Sequence, residues 1–452
     1  MRVKAPRLLT ASERSFRNPK LRDSLLISYK SVADLAAKGA LFAITVFAAR
    51  RLTPVAFGVF SLGSTLGWMA AVASDFGIQL HLARAVARRP EDAPQLLTMW
   101  LRIRVWSAAA AAAAVAIVLA GGWPASLAAP IALLALVYAV SGIIELLHYF
   151  YRGLSRSDIE SSLTLWQRSS TLVCGFAALA LFPNVTTLAV AMLLPAVATL
   201  AVSIRIAGRL AATAAATPSG NDTSGGEVSA GADESRQPGR LPAWRTFRRD
   251  VWPIGAGIVL SALYFRIDVF LVQLWSGTEL VALYNAVFRL VEALRLFPAA
   301  VIAVALPSLC RAGDWRPLLR VAVPMTALAA VAAAVLWAAG GVLVPLLYGA
   351  SYARAVGAFR VLLLSFPLMA LNLALTHQLI GWHGERAYAV ICAVALAANL
   401  AMNAQLIPAA SIEGAAWATL GTELLLTAGC LAALWSIATK PRGAIVEDLV
   451  MG

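Results

Sequence analysis

Windows of about twenty apolar residues recur along nearly the whole chain, each long enough to cross a hydrocarbon core of roughly 30 Å as a helix. Lipid offers no hydrogen bonds to backbone amides, so only helices and closed barrels can span it. The runs here are continuous and rich in Ala and Leu rather than alternating with period two, which selects helices over a barrel. The composition agrees. The 452 residues are 60% hydrophobic and 13% charged, with a mean hydropathy of +0.77, whereas a soluble domain carries about 25% charged residues. The predicted fold class is an all-α membrane protein of about twelve transmembrane helices.

Spans are predicted near 24–49, 57–80, 102–121, 128–149, 159–182, 186–208, 250–275, 279–309, 318–347, 355–382, 386–407 and 412–437. Residues 1–22 hold seven Lys and Arg but no apolar core, so they do not read as a cleavable signal peptide. With this tail placed inside, the cytoplasmic stretches collect 27 basic residues and the outer loops only Arg50, Arg51 and Arg354. That asymmetry places both termini in the cytoplasm, and the chain in a bacterial inner membrane. It also accounts for the net charge of +14 without nucleic acid as a partner. Cys174, Cys310, Cys392 and Cys430 lie in or beside apolar segments without CxxC spacing and read as small hydrophobes, so neither a disulfide nor a metal is expected.

The polar stretch ATPSGNDTSGGEVSAGADESRQPGRLP (216–242) lacks hydrophobic periodicity and reads as a tether. The organisation expected is a basic cytoplasmic tail (1–23), a six-helix bundle (24–210), a flexible cytoplasmic linker (211–249), a second six-helix bundle (250–437) and a cytoplasmic tail (438–452). Six is even, so the halves share one orientation and are related by an axis along the membrane normal. A turn that starts the next helix follows the first span of each half. Thr53 before Pro54 is an N-cap with proline at the first helical position, and Ser276 with Glu279 has capping-box spacing. GSTLG (63–67) is a GxxxG of the kind that lets helices pack closely.

The runs LTPVAFGVFSL (52–62), SDFGIQLHLARAVAR (74–88) and FRIDVFLVQLWSGTELVALYNAVFRLVEALRLFPAAVIAVALPSLCR (265–311) resemble the bacterial polysaccharide-export flippases, which move lipid-linked oligosaccharides. The resemblance spans about residues 24–437 in diffuse blocks with no catalytic signature. It implies the fold of a superfamily that also holds drug/cation antiporters and lipid II flippases: two six-helix bundles around a central cavity, working by alternating access. It also implies a polyprenyl-diphosphate-linked oligosaccharide as cargo for surface polysaccharide synthesis, with membrane lipid, a polysaccharide polymerase and glycosyltransferases as partners. No cofactor is expected. The two C-terminal helices typical of lipid II flippases are absent from the span count, which argues against a peptidoglycan precursor.

A charged side chain near the middle of a spanning helix costs about 2.5–3.5 kcal/mol on insertion scales, so each must face protein or water. The first span carries Lys30, Asp34 and Lys38 on one face. The eighth carries Asn285, Arg289, Glu292 and Arg295, the seventh Arg266 and Asp268, and the fifth Arg168. At 1.5 Å per residue, Arg168, Arg289, Lys38 and Arg266 lie about 14 to 24 Å into their helices. On one reading, Lys38, Arg168, Arg266, Arg289 and Lys30 are the cations of a basic, water-filled cavity suited to a diphosphate. On the other, Lys38 with Asp34, and Arg289 with Glu292, are internal ion pairs that only fasten helices. Arg266 and Asp268 point to nearly opposite sides, so Arg266 is expected in the cavity and Asp268 against a neighbouring helix. If transport is ion-driven, Asp34 or Glu292 is the expected coupling acid, and His377 could relay a proton. His81, His148, His377 and His383 show no metal-ligand spacing.

An enzyme would need catalytic acids or bases on an outer loop, but those loops are short and nearly free of His, Asp and Glu. A multidrug/cation antiporter shares the architecture but calls for acidic walls, and a scaffold without transport leaves the buried charges without a role. Because the linker's composition cannot form a core, only its reach matters. Replacing 216–238 by a shorter Gly/Ser tether should leave transport intact, and lost transport at normal membrane levels would reject this.

Overall fold

The computed structural model describes residues 19–121, 124–216, 252–311, 314–382 and 384–439. The expected tails at 1–18 and 440–452, and the linker over 217–249, lie outside the described residues. Among those described there is no strand. The N-terminal half comprises α1 (Pro19–Arg51), α2 (Pro54–Asp75), α3 (Ile78–Arg88), α4 (Ala93–Ala120), α5 (Ala125–Gly153), α6 (Ser157–Leu181) and α7 (Val185–Ala216). The C-terminal half comprises α8 (Trp252–Ser276), α9 (Thr278–Leu294), α10 (Leu296–Arg311), α11 (Arg316–Tyr348), α12 (Val356–Gly381) and α13 (Glu385–Thr439). Exposed Trp106, Ile117, Val304 and Leu346 mark an outer surface that is apolar, as lipid requires. The chain is a multi-pass membrane protein.

Local chemistry sets several helix ends. Thr53 Oγ1 accepts the Ala56 N–H at 3.3 Å with Pro54 at the first helical position, as expected for the start of α2. The predicted 57–80 span stops early. The Asp75 carboxylate accepts N–H bonds from Gly77 and Gln79 at 3.2 and 3.3 Å, and Phe76 and Gly77 take left-handed φ values of 44° and 83°. The chain then runs on as α3, which buries Ile78, Leu82 and Val86 at spacings of four. The predicted 279–309 span is two helices, α9 and α10, parted at Arg295, with Pro298 in the first turn of α10 where a missing N–H is tolerated. The last two predicted spans are the limbs of α13, broken at Ser411 (φ 52°, ψ −128°).

Two expectations change. The N-cap of α9 is Gly277, with no side-chain cap; Ser276 instead meets the Ser411 hydroxyl at 3.0 Å and Glu279 pairs with Arg354. The start of α4 at Ala93, well before the span predicted to begin at 102, also moves Arg104 from a span end to the twelfth residue of a helix, where it is fully buried.

In the N-terminal half α2 packs on α5 and α1 on α6, and in the C-terminal half α12 packs on α11 and α13, with α13 also against α8. The GxxxG glycines do what their spacing suggests. A Cβ on Gly63 would lie 2.8 Å from Leu134 Cδ1, and one on Gly67 2.9 Å from Tyr138 Cδ2, so α2 lies close on α5. The halves meet chiefly where α2 faces α9. The face where α1 ends and α2 begins is here called distal; the opposite face is proximal. At the distal face the Phe57 and Tyr352 rings meet edge-on at 6.1 Å. Arg50 donates to the carbonyls of Leu346 and Leu347, in the latter case from Nε at 2.8 Å. A Cβ on Gly58 would collide with the Thr278 carbonyl oxygen.

Gly58→Ala should therefore destabilise the purified protein by about 1–3 kcal/mol through overpacking. Gly208→Ala, which meets nothing within 4 Å, should leave its Tm unchanged or slightly raised. Equal melting of the two variants would reject the close approach of α2 and α9.

Candidate functional site

Between the halves lies a cavity of about 650 Å³ lined by residues from α1 to α9, a size within the ordinary range for ligand sites. Asp75, Arg152 and Glu160, at helix ends on the proximal face, line it. The contacts between Arg50, Phe57 and Gly58 and the C-terminal half lie at the other face.

Four of the expected cations, Lys38, Arg168, Arg266 and Arg289, line this one cavity. Lys30 is not in the lining itself: its Nζ pairs at 3.3 Å with Glu160, which is. Asp34 lines the cavity beside Lys38, and no ion pair joins the two among the described residues. His377 is placed on α12, its Nδ1 2.7 Å from the Leu373 carbonyl oxygen in its own helix, away from the cavity lining.

Helical spacing on α9 builds the deepest cluster. Asn285, Arg289 and Glu292 share a face at steps of four and three, and Arg266 of α8 reaches across to it. Its Nη1 donates to Asn285 Oδ1 at 3.2 Å and its Nη2 to Glu292 Oε2 at 2.7 Å. Arg289 Nη1 donates to the same Oε2 at 2.9 Å. Phe265 and Phe288 complete the seat, with ring centroids 5.3 and 4.7 Å from the Arg266 guanidinium carbon. Asp268, two residues on, turns the other way: Tyr284 donates its hydroxyl to Oδ2, and the Val269 N–H reaches Oδ1 at 2.8 Å, so the acid sits inside the C-terminal half. Arg295 lies over Phe265 at 4.4 Å.

Sequence reasoning missed a second cluster. Glu160 on α6 accepts two bonds from Arg152 of α5, at 2.8 and 2.5 Å, besides the one from Lys30 of α1. It also missed Arg104, which donates to the Ser74 hydroxyl and, at 3.1 Å, to the Ala71 carbonyl, and lies where a Cβ on Gly142 would stand. Glu145 of α5 faces the cavity too. The walls thus carry six cationic side chains against five carboxylates, a smaller basic excess than the reading of basic walls implied. Glu145 and Glu160 each stand as the only carboxylate of a predicted span, and a carboxylate within a predicted span is itself a signal of a site.

Burial separates structural from surface pairs. Glu160 keeps 4% of its side chain exposed, whereas Arg156 and Asp158 keep 46% and 44%. Glu160→Gln should cost about 1–3 kcal/mol by weakening three charge-assisted bonds, and Asp158→Asn should stay within about 0.5 kcal/mol. Thermal melts of the two variants check this; a larger loss in Asp158→Asn would contradict it.

Among solved structures, the chain resembles a multidrug resistance MATE family transporter of the MOP superfamily in its inward-facing conformation, with a TM-score of 0.68 and 11% identity over 90% of this chain and 98% of that one. It also resembles the lipid II flippase MurJ in its inward closed conformation, with a TM-score of 0.63 and 11% identity over 91% and 88% of the two chains. A MOP superfamily transporter from Pyrococcus furiosus, described as having a binding pocket of reverse polarity, matches with a TM-score of 0.56 and 13% identity over 92% and 96%. At such identities the likeness is one of fold. No curated protein matches the chain by sequence. The sequence itself matches the polysaccharide biosynthesis protein family over residues 27–312, more than half of its length, and the chain belongs to that family.

Proposed function

We propose that this protein is a flippase that carries an anionic lipid-diphosphate-linked oligosaccharide from the inner to the outer leaflet of the bacterial cytoplasmic membrane by alternating access. Surface polysaccharide synthesis is the process it serves. The observation that carries the reading is the convergence of Lys38, Arg168, Arg266 and Arg289 on one cavity between the halves. Arginine forks match phosphate oxygens, and a site shielded from bulk water strengthens the attraction. The excess of basic residues beside the proximal helix ends supports a cytoplasmic placement of that face, where a cytoplasmic precursor would be made. The distal contacts would have to part for release.

The carboxylates on the walls favour a second reading, a cation antiporter of the same fold. Cargo discriminates the two. Vesicles holding the protein should move a lipid-diphosphate sugar and show no cation exchange driven by an organic cation; the reverse pattern would establish the antiporter.

Within the flippase reading, Arg289→Lys should retain part of the transport because charge survives while the fork is lost, whereas Arg289→Ala and Arg266→Ala should abolish it. If Arg289 served only to neutralise Glu292, removing both partners would restore function by leaving no unpaired charge. Protein level and delivery of lipid-linked sugar are to be measured for Arg289→Ala, Glu292→Ala and the pair. Stable protein with no transport in both Arg289→Ala and the double variant is the expected result; full rescue in the double variant excludes a role for Arg289 in holding cargo.

A further inference from the structure

The three members of the deep cluster differ in exposure in an order that governs how an anion can reach them. Arg266 keeps 4% of its side chain exposed, Arg289 20% and Glu292 34%. The carboxylate is the member most open to the cavity, and Arg266 lies behind it. Both guanidiniums bind one oxygen, Oε2, while Oε1 makes no hydrogen bond to the described residues. Arg266 also has neutral supports, Asn285 and the rings of Phe265 and Phe288, that hold its position without the acid.

The cluster around Glu160 has the opposite order. There the carboxylate is 4% exposed and its cations, Arg152 and Lys30, are 36% and 30% exposed. An anion approaching Glu160 meets cations first; an anion approaching Arg266 meets a carboxylate first.

We propose that Glu292 is a resident counter-ion that occupies the phosphate seat of Arg266 and Arg289 in the empty protein, yields it to the cargo's diphosphate, and retakes it on release. The proposal rests on the diphosphate reading above. Two guanidiniums left bare in a weakly polar site would be costly in the empty protein and would hold a diphosphate too tightly to let it go. A single carboxylate shared between them leaves the cluster a net charge of +1. A diphosphate, with more charge and more oxygens, can displace that carboxylate, and a tethered carboxylate beside it shortens the stay. No bond is made or broken.

The test uses the full chain purified in detergent, with inorganic pyrophosphate as the probe. Glu292→Gln keeps the shape and an acceptor oxygen but removes the competing charge. It should bind pyrophosphate at least tenfold more tightly than the wild type while delivering lipid-linked sugar more slowly in vesicles. Glu160→Gln removes the same charge from behind its cations and should change the affinity less than threefold. Because Glu292→Gln could be less stable, the rise in Tm that pyrophosphate causes is read as well, and it should be larger in this variant than in the wild type. Pyrophosphate binding that Arg266→Ala abolishes but Glu292→Gln leaves unchanged or weakens would overturn the counter-ion role alone, as would equal tightening in Glu160→Gln. No binding to either the wild type or Glu292→Gln would overturn the diphosphate reading with it.

Discussion

A single carboxylate oxygen, Glu292 Oε2, accepts from two arginines on different helices, and the arrangement of the cavity's deep end depends on it. In lipid a lone guanidinium is intolerable, so Arg266 on α8 must face whatever can compensate it, which is the polar stripe of α9. That requirement sets the rotation of both helices. With Arg266 turned to the cavity, Asp268 two residues on is carried to the far side of α8, where Tyr284 satisfies it within the C-terminal half. The break at Arg295 ends the stripe and lets the chain continue as the apolar α10.

The N-terminal half meets the same constraint with different connectivity. Glu160 gathers Arg152 and Lys30 from two neighbouring helices, so α1, α5 and α6 are tied where they approach the proximal face. Glycines then decide how near the halves may come. Gly58 admits the Thr278 carbonyl at the distal face, and at the proximal face Gly255 admits the ring and carbonyl of Phe76, which sits in a left-handed conformation at the end of α2. Contacts at those two points leave charged walls between them.

Much of the deep site was legible because helical spacing is a local property. Asn285, Arg289 and Glu292 had to share a face whatever α9 packed against, and Arg266 and Asp268 had to diverge. Thr53 and Pro54 started α2 as their chemistry dictates, whereas Ser276 lost its cap role to Gly277, whose positive φ suits the turn before α9. The Glu160 cluster was not legible, since its members lie 8 and 130 residues away from Glu160 in the chain. Arg104 was not singled out because it stands at the end of the span predicted over 102–121, where basic residues count toward orientation, yet α4 begins early enough to bury it.

The sequence alone determined the solvent, the all-helical class and the family, because hydropathy and run length are summed along the chain and need no partner. Tertiary structure decided which charges meet. Lys30 was drawn to Glu160 on the cavity wall, Asp34 and Lys38 lie on one face without pairing, and the acids Glu145 and Asp75 entered walls expected to be basic. Electrostatic pairing inside a membrane depends on distances across helices, and a periodicity read along one helix gives the face a residue occupies but not the neighbour waiting on the other side.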